Sequence, residues 1–146
     1  MILRLLLAIP QGEELALVHS ILDSALDLTC LDVVADEVKT VDALHATVVE
    51  DRHDIVMLDW DMAESETPAL VSEILRKRPQ LRVVVLLPLA YRQYRQMVWD
   101  AGACNGIPRE HMDQEWLSTV LCLMHRAMER ENRILSTCKK EEAVYG

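Results

Sequence analysis

The 146-residue chain has the length of one ordinary domain, and folding at this size buries roughly 68–70% of the unfolded surface, so neither a disulfide nor a metal is needed for stability. Acidic residues outnumber basic ones by 24 to 15, and the net charge is -9. This charge argues against direct nucleic-acid binding, which is driven by counterion release at basic side chains. The composition favours a protein partner.

The first apolar run, MILRLLLAIP, is too short to cross a bilayer, and nothing around it is typical of an export signal. We therefore expect a cytoplasmic protein without a membrane anchor. The four cysteines, Cys30, Cys104, Cys122 and Cys138, have no CxxC spacing, and three of them lie in apolar runs. This pattern predicts reduced, buried thiols.

Five apolar segments have strand character, and segments of helical period lie between them. The predicted strands are Leu3–Ile9, Cys30–Ala35, Asp54–Leu58, Arg82–Leu87 and Cys104–Ile107. The apolar positions of the first four helices are Leu15, Val18 and Leu22; Val41, Leu44 and Val48; Leu70, Ile74 and Leu75; and Met97, Val98 and Ala101. A fifth helix begins near Asp113, a candidate N-cap, and its pattern continues to about Glu142.

Strands that alternate with helices, and that are nearly continuous in apolar residues, predict a parallel sheet covered on both faces. The expected fold is a doubly wound α/β domain with an extended C-terminal helix. Ligands of such sheets bind at the carboxyl ends of the strands. The residues found there are Ile9 and Pro10, Asp59 and Asp61, Leu87, and Arg109.

The order of three segments resembles the receiver domains of two-component response regulators. DIVMLDWDM resembles the third strand with its phosphoacceptor aspartate, LRVVVLLP the fourth strand, and AGACNGIPRE the stretch from the fourth helix through the fifth strand. The resemblance covers residues 3 to about 126 and implies the flavodoxin-like strand order 2-1-3-4-5. It also implies that Asp59 takes the phosphoacceptor position, and that Asp61 takes the place whose backbone carbonyl contacts Mg²⁺.

The chain departs from the receiver pattern at every other position of that site. By the resemblance, the acidic pair after the first strand falls on Ile9 and Pro10, the hydroxyl residue after the fourth on Leu87, and the lysine after the fifth on Arg109. Because Mg²⁺ needs carboxylates beside the phosphate, we expect metal binding to be weak, with Asp59 and Asp61 as the candidate ligands. No resident cofactor is expected.

Arg109 could replace the metal as the partner of Asp59. A guanidinium can grip a carboxylate with two parallel hydrogen bonds, and a pair 4 Å apart interacts by about 4 kcal/mol at an effective dielectric of 20, before desolvation is subtracted. Glu13, Glu14 or Asp61 could instead supply substitute metal ligands. The apolar pocket favours a locked ion pair over a phosphorylation switch.

The last helix is longer than a receiver of this size requires. We expect a receiver-like domain over residues 1–128 and a helical extension over 129–146, held in part by pairing of Glu129 with Arg133. Residues Leu117, Leu121, Met124, Met128, Glu131, Leu135 and Cys138 have coiled-coil spacing, which is compatible with a homodimer, with docking onto another protein or with a solvated tail.

Candidate partner-binding residues follow from the wide apolar arc of this helix and from one tryptophan on the fourth helix. They are Trp99, Trp116, Leu117, Leu121, Met124 and Met128. By the resemblance, Trp99 lies near the usual signalling surface of receivers, and it could equally belong to the core.

Three functions remain open on the sequence alone. We favour an atypical receiver, not an enzyme, that binds a signalling protein or sensor kinase without a phosphorylation cycle. The alternative is a single-domain regulator that accepts phosphate on Asp59 from a sensor kinase. A flavin or nucleotide enzyme is disfavoured, because IPQGEEL, after the first strand, has one glycine and no hydroxyl residue with which to bind phosphate.

Overall fold

The computed structural model describes the backbone of residues 2–145 and the side chains of residues 2–138. Five parallel strands form one sheet in the order β2-β1-β3-β4-β5, as predicted. The strands are β1 (Ile2–Ala8), β2 (Asp32–Val38), β3 (Ile55–Asp59), β4 (Arg82–Leu87) and β5 (Asn105–Pro108). The helices are α1 (Glu13–Leu26), α2 (Val41–Val48), α3 (Thr67–Lys77), α4 (Arg95–Asp100) and α5 (Gln114–Tyr145).

Alternate side chains of the inner strands enter two separate cores, one on each face of the sheet. Leu5 and Leu7 of β1 pack with α1 and α5, whereas Leu6 and Ala8 pack on the face covered by α2, α3 and α4. All five side chains of β3 are buried. This double burial explains the continuous apolar runs in the sequence and makes the sheet a rigid platform for the residues that follow each strand.

Strand β2 begins two residues later and ends three residues later than the sequence predicts. Its register with β1 runs from the pair Ile2 and Asp32 to the pair Ala8 and Val38. As an edge strand it leaves most of its side chains exposed, so it tolerates Asp36 and Glu37, which the apolar-run criterion excludes.

The predicted start of α5 is confirmed, because the Asp113 carboxylate accepts a hydrogen bond from the backbone N–H of Trp116 at 2.7 Å. The described side chains of α5 beyond Met128, residues 129–138, are all exposed. An ion pair between Arg82 and Glu131 ties the helix to β4 where it leaves the sheet. The expected pair between Glu129 and Arg133 is absent from the ion pairs of the described side chains, and Glu129 lies near His125 instead.

The prediction that six residues lie at a partner-binding surface is wrong for four of them, which are buried. Their exposures are 1% for Leu117, 1% for Leu121, 9% for Met124 and 8% for Met128. They form the stripe of α5 that packs on β1, β3, β4 and α1, and Trp116 is partly buried against the same core. The sheet and α1 thus cover a wider arc of α5 than one flat contact would, and of the predicted coiled-coil stripe Glu131, Leu135 and Cys138 lie exposed.

The prediction of buried cysteines is also wrong. Cys30, Cys104 and Cys138 are exposed, and Cys122 is partly exposed. Cys30 precedes the true start of β2, Cys104 occupies the turn before β5, and Cys138 lies beyond the part of α5 that contacts the sheet. An apolar run therefore identified the neighbouring strand but not the orientation of its flanking residues.

Replacing Leu121 with alanine should lower the free energy of unfolding by about 2–5 kcal/mol, because it leaves a cavity against the sheet. Leu123 is the matched control: it lies two residues away on the same helix and is 58% exposed. Leu123→Ala should change stability by less than about 0.5 kcal/mol. Urea unfolding of both variants measures the difference, and equal effects would contradict this assignment of the α5 faces.

Candidate functional site

The candidate site lies at the carboxyl edge of the sheet and is centred on Asp59, the last residue of β3. Its exposure is 0%, because β1 and β4 flank β3 and helices cover both faces. One carboxylate oxygen, Oδ1, accepts a hydrogen bond from the backbone N–H of Asp61 at 2.9 Å. This contact caps the 3₁₀ helix Trp60–Met62 and holds the carboxylate in one orientation.

Arg109 follows β5 and contacts the buried carboxylate directly. Its Nη1 lies 3.2 Å from Oδ1 and 3.3 Å from Oδ2 of Asp59, and 3.1 Å from Oδ2 of Asp61. The predicted pairing is therefore present, but one nitrogen contacts both oxygens where two parallel bonds were expected. The same nitrogen also donates to the carboxylate of Asp61, so it is shared between two aspartates.

A third carboxylate completes the cluster. Oε1 of Glu14, in the first turn of α1, lies 3.7 Å from the same Nη1 of Arg109. Three carboxylates thus share one guanidinium, and the cluster carries a net charge of about -2 when all are ionised. The half-exposed side chains of Glu14 and Asp61 are screened by solvent, whereas Asp59 is not.

Burial raises the pKa of Asp59 above its ordinary value of 3.8. The hydrogen bond from Asp61 and the charge of Arg109 lower this pKa, while the charges of Asp61 and Glu14 raise it, and burial prevails. Burial by itself would lower the pKa of Arg109, but the three carboxylates outweigh it and that pKa is raised. The guanidinium therefore stays charged while Asp59 ionises less readily than an exposed aspartate.

The remaining predicted pocket residues, at the carboxyl ends of β1 and β4, are apolar. Ile9 and Leu87 are completely buried and Pro10 is partly buried. They provide neither the carboxylates that would hold a divalent cation nor a hydroxyl that could donate to a phosphoryl oxygen. Nη1 of Arg109, at 3.2–3.3 Å from both Asp59 oxygens, occupies the place of a cation there.

The donor set as arranged does not fit Mg²⁺, because Nη1 of Arg109 already contacts the carboxylates of Asp59, Asp61 and Glu14. Within residues 2–138, no group of three or more histidine, cysteine, aspartate or glutamate side chains is arranged to hold a metal ion.

Three contacts that the sequence did not predict hold the segment after β4. The backbone N–H of Leu89 donates to Oε2 of Glu110 at 3.1 Å, which links this segment to the residues after β5. The indole of Trp60, beside Asp59, stacks on Tyr91 with a centroid separation of 5.8 Å and contacts Tyr94 at 4.8 Å. The sequence could have predicted this aromatic cluster, because its residues follow two adjacent strands, β3 and β4.

Trp99 lies on the outer face of α4 and is 60% exposed, which decides between the two interpretations that the sequence left open. Met97 on the same helix and Tyr91 in the preceding 3₁₀ helix Leu89–Tyr94 are also exposed. The inner face of α4 contributes Val98 to the core. Of the predicted partner-binding residues, Trp99 is thus the one that is largely exposed at the surface.

No helix in the described part of the chain is both long enough and apolar enough to span a membrane. No protein-family model matches the sequence, and no curated protein matches it either. Solved structures do match.

The fold is that of response-regulator receiver domains. The orphan response regulator HP1043 of H. pylori is 16% identical, with a TM-score of 0.65, over 84% of this chain and 95% of that chain. An atypical orphan response regulator described as having a phosphorylation-independent regulatory mechanism is 17% identical, with a TM-score of 0.64, over 85% of this chain and 96% of that chain. The receiver domain of the sensor kinase PA1611 from Pseudomonas aeruginosa PAO1, solved with magnesium in its active-site cleft, is 14% identical, with a TM-score of 0.66, over 83% of this chain and 95% of that chain. Identities this low establish the fold alone.

Replacing Arg109 with alanine should lower the free energy of unfolding by about 3 kcal/mol at pH 7, because it leaves the buried Asp59 carboxylate without a cation. The double variant Arg109→Ala/Asp59→Asn should recover most of this loss. Urea unfolding of the two single variants and the double variant gives the coupling energy between the side chains. A coupling near zero would contradict a buried ion pair.

The loss caused by Arg109→Ala should shrink as the pH falls toward 4. A group whose pKa is raised in the folded state contributes stability below its unfolded value of 3.8, and that contribution is lost as the pH rises through the folded pKa. Removing Arg109 raises the pKa of Asp59 further, so the variant should lose stability more steeply with rising pH than the wild type. Unfolding midpoints at several pH values check this, and the Asp59→Asn background should abolish the difference.

Proposed function

We propose that this protein is an atypical receiver that acts as a protein-interaction module in signal transduction, independently of phosphorylation at Asp59. The observation that carries the proposal is the contact of Arg109 Nη1 with both oxygens of Asp59. A carboxylate must offer a free oxygen to attack a phosphoryl group, and a cation must neutralise the transferred charge. Here the guanidinium contacts both oxygens, and the ends of β1 and β4 carry the apolar residues Ile9 and Leu87.

The segment after β4 supports the same proposal. The bond from Leu89 to Glu110 and the stack of Trp60 on Tyr91 give this segment a defined conformation without a phosphoryl group. Because it leads directly into α4, the surface around Trp99 is presented constitutively. If the surface is always formed, partner binding is controlled by the abundance or location of the protein and not by phosphorylation.

The alternative is a regulator that accepts phosphate on Asp59 from a sensor kinase. It would require Arg109 to swing away so that Glu14, Asp59 and Asp61 could converge on a metal ion. The proximity of the two half-exposed carboxylates to Nη1 is the specific observation in its favour. Its cost is the burial of a metal beside Ile9 and Leu87, which offer no ligand atoms.

We further propose the division of the chain into a receiver-like domain, residues 1–128, and a helical extension, residues 129–146. The support for it is the change from buried to exposed side chains on α5 after Met128. A homodimer through the extension would have to use Ile134 and Leu135, which are 56% and 47% exposed. Sedimentation velocity of the wild type and of Ile134→Lys/Leu135→Lys tests it: dimers that persist in the variant would rule out this interface.

Magnesium titration with beryllofluoride, followed by tryptophan fluorescence, tests phosphorylation independence, since Trp60 is adjacent to Asp59. We expect no saturable response at millimolar Mg²⁺ and no phosphoryl adduct in the intact mass after treatment with acetyl phosphate. Asp59→Asn is the control for responses of Trp99 and Trp116. A response and an adduct that both disappear in this variant would establish the alternative.

A positive control introduces the site residues that are typical of receivers and that this chain lacks. The variant Ile9→Asp/Pro10→Asp/Leu87→Thr/Arg109→Lys supplies two carboxylates, a hydroxyl and a lysine around Asp59. If the native residues suppress the chemistry, the variant should gain beryllofluoride binding that the wild type lacks. Circular dichroism and urea unfolding must first show that the variant is folded.

A further inference from the structure

A cleft lies at the amino ends of β1, β3 and β4, on the edge of the sheet opposite to Asp59. It encloses about 440 Å³, and its lining includes His53 and three arginines, Arg4, Arg78 and Arg82. Arg4 lies in β1, His53 precedes β3 and Arg82 begins β4, so the parallel strands bring these residues to one edge. Three arginines are thus concentrated in one place on a chain whose net charge is -9.

Two of these arginines are more buried than the carboxylates that pair with them. The side chain of Arg82 is 15% exposed and that of its partner Glu131 is 52% exposed. The side chain of Arg78 is 27% exposed and that of its partner Asp51 is 71% exposed. Ion pairs with an exposed partner contribute little to stability. An anion from solution can therefore replace these two carboxylates at small cost, while packing keeps the guanidinium groups in place.

The third arginine is fixed by Asp54. The Asp54 carboxylate accepts a hydrogen bond from the backbone N–H of Arg4 at 2.9 Å and one from Nη2 of Arg4 at 3.3 Å. The backbone N–H of Asp54 donates to the carbonyl of Arg4 at 2.8 Å, and that of Arg82 donates to the carbonyl of Asp54 at 3.2 Å. Arg4 and Arg82 are therefore attached to one rigid edge, which lowers the entropy cost of binding a ligand there.

Two buried atoms without a hydrogen-bond partner belong to residues of this cleft. Among the side chains of residues 2–138, the buried nitrogen and oxygen atoms that lack a partner are Nδ1 of His53 and Nη2 of Arg78. The latter lies against Oδ1 of Asp51 in their ion pair, without hydrogen-bond geometry. Buried polar atoms in proteins nearly always have a partner. Their location in one cleft indicates a ligand with polar groups of its own.

The ring of His53 specifies one of those groups. Its side chain is 6% exposed, and its Nε2 lies 2.8 Å from Oδ2 of Asp36. A carboxylate only accepts hydrogen bonds, so Nε2 carries the proton and Nδ1 of the neutral ring is an acceptor. Nδ1 thus requires a donor such as a hydroxyl, whereas the arginines require an oxyanion.

The cleft has room for more than an oxyanion. Its volume falls within the range of about 300–1,000 Å³ that is typical of small-molecule pockets. The amides of Gln80 and Asn132 and the apolar side chains of Leu81 and Met128 also line it. A mixture of amides and apolar groups suits the hydroxyl groups and carbon skeleton of a small polar molecule.

The exposed part of α5 forms one wall of the cleft. Glu131 and Asn132 lie just beyond Met128, where the side chains of this helix become exposed. The proposed helical extension therefore contributes to the cleft, which gives the first residues of the extension a role besides contact with a partner protein.

We propose that this cleft binds a small phosphorylated molecule, with its phosphate on Arg78 and Arg82 and its hydroxyl groups near His53 and the two amides. A phosphate monoester offers three strong acceptor oxygens, which planar guanidinium groups bind through paired hydrogen bonds. Asp59 takes no part in this site. The inference therefore goes beyond the proposed function and does not depend on it.

Phosphate groups of macromolecules fit the cleft less well. A nucleic acid would bring further phosphates over a chain with a net charge of -9, and their repulsion opposes binding. A phosphorylated protein segment would have to cross the exposed carboxylates of Asp51 and Glu131 on both sides of its phosphate.

Calorimetric titration of the full-length protein with ribose 5-phosphate, inorganic phosphate and ribose tests the proposal. The three probes separate the phosphate from the hydroxyl groups. We expect saturable binding of ribose 5-phosphate with a dissociation constant in the millimolar range or below, weaker binding of inorganic phosphate and no binding of ribose. Any other order of affinities, or no saturable binding, would overturn the proposal.

Matched variants locate the binding site. Arg78→Gln/Arg82→Gln should weaken binding of ribose 5-phosphate at least about tenfold. Arg92→Gln/Arg95→Gln changes the net charge by the same amount at exposed positions near α4 and should leave the affinity unchanged. Equal losses in both pairs would mean non-specific electrostatics and would overturn the assignment.

A variant that keeps every arginine of the cleft guards against loss of the fold. Asn132 is exposed on the wall of the cleft, so Asn132→Trp should fill it and weaken binding by a similar factor without unfolding the protein. Urea unfolding checks that each variant is folded. Unchanged affinity in a folded Asn132→Trp variant would contradict this site.

Two further titrations distinguish other sites and other ligands. Asp59→Asn should bind ribose 5-phosphate as the wild type does, and loss of binding in this variant would place the phosphate at the opposite edge of the sheet. A phosphoserine peptide or a single-stranded oligonucleotide that binds more tightly than ribose 5-phosphate would contradict a small molecule as the ligand.

Discussion

The pairing of a completely buried carboxylate with a guanidinium is the constraint around which the functional end of this protein is organised. Asp59 ends a strand that is covered on both faces, so its charge requires a partner inside the protein. Arg109 provides one from the residues after β5, and Asp61 and Glu14 hold the same guanidinium from the other side. Three loops that follow three different strands are thereby joined through one side chain.

This arrangement keeps an aspartate, Asp59, where the resemblance places the phosphoacceptor of the receiver fold. It has Ile9, Pro10, Leu87 and Arg109 at the other positions of that site. A metal ion and an arginine solve the same electrostatic problem, since each neutralises a buried aspartate at the sheet edge. They differ in their ability to bind phosphate. A metal ion keeps coordination positions open for phosphate, whereas a guanidinium that contacts three carboxylates has none. In the proposed function, a covalently attached cation takes the place of the metal, and the site is structural instead of reactive.

The surface around α4 gains importance when the site is structural. The stack of Trp60 on Tyr91 and the bond between Leu89 and Glu110 connect the Asp59 region to the segment that leads into α4. These contacts join the buried ion pair to the segment before α4, the helix on which Trp99 is exposed. The two features are therefore parts of one rigid edge of the domain, formed by the segments that follow β3, β4 and β5.

The sequence by itself determined the alternation of five strands and helices and the position of Asp59 at the end of β3, because buried parallel strands have long apolar runs. The strand order, and the prediction that Arg109 pairs with Asp59, came from the resemblance to receiver domains. The sequence misplaced Leu117, Leu121, Met124 and Met128, since a wide apolar stripe on a helix looks the same whether a sheet or a partner covers it. Only the tertiary structure decided that these residues are core and that Trp99 is surface. It also showed that one nitrogen of Arg109 contacts Asp59 and Asp61, because such geometry depends on how separate loops approach each other in space.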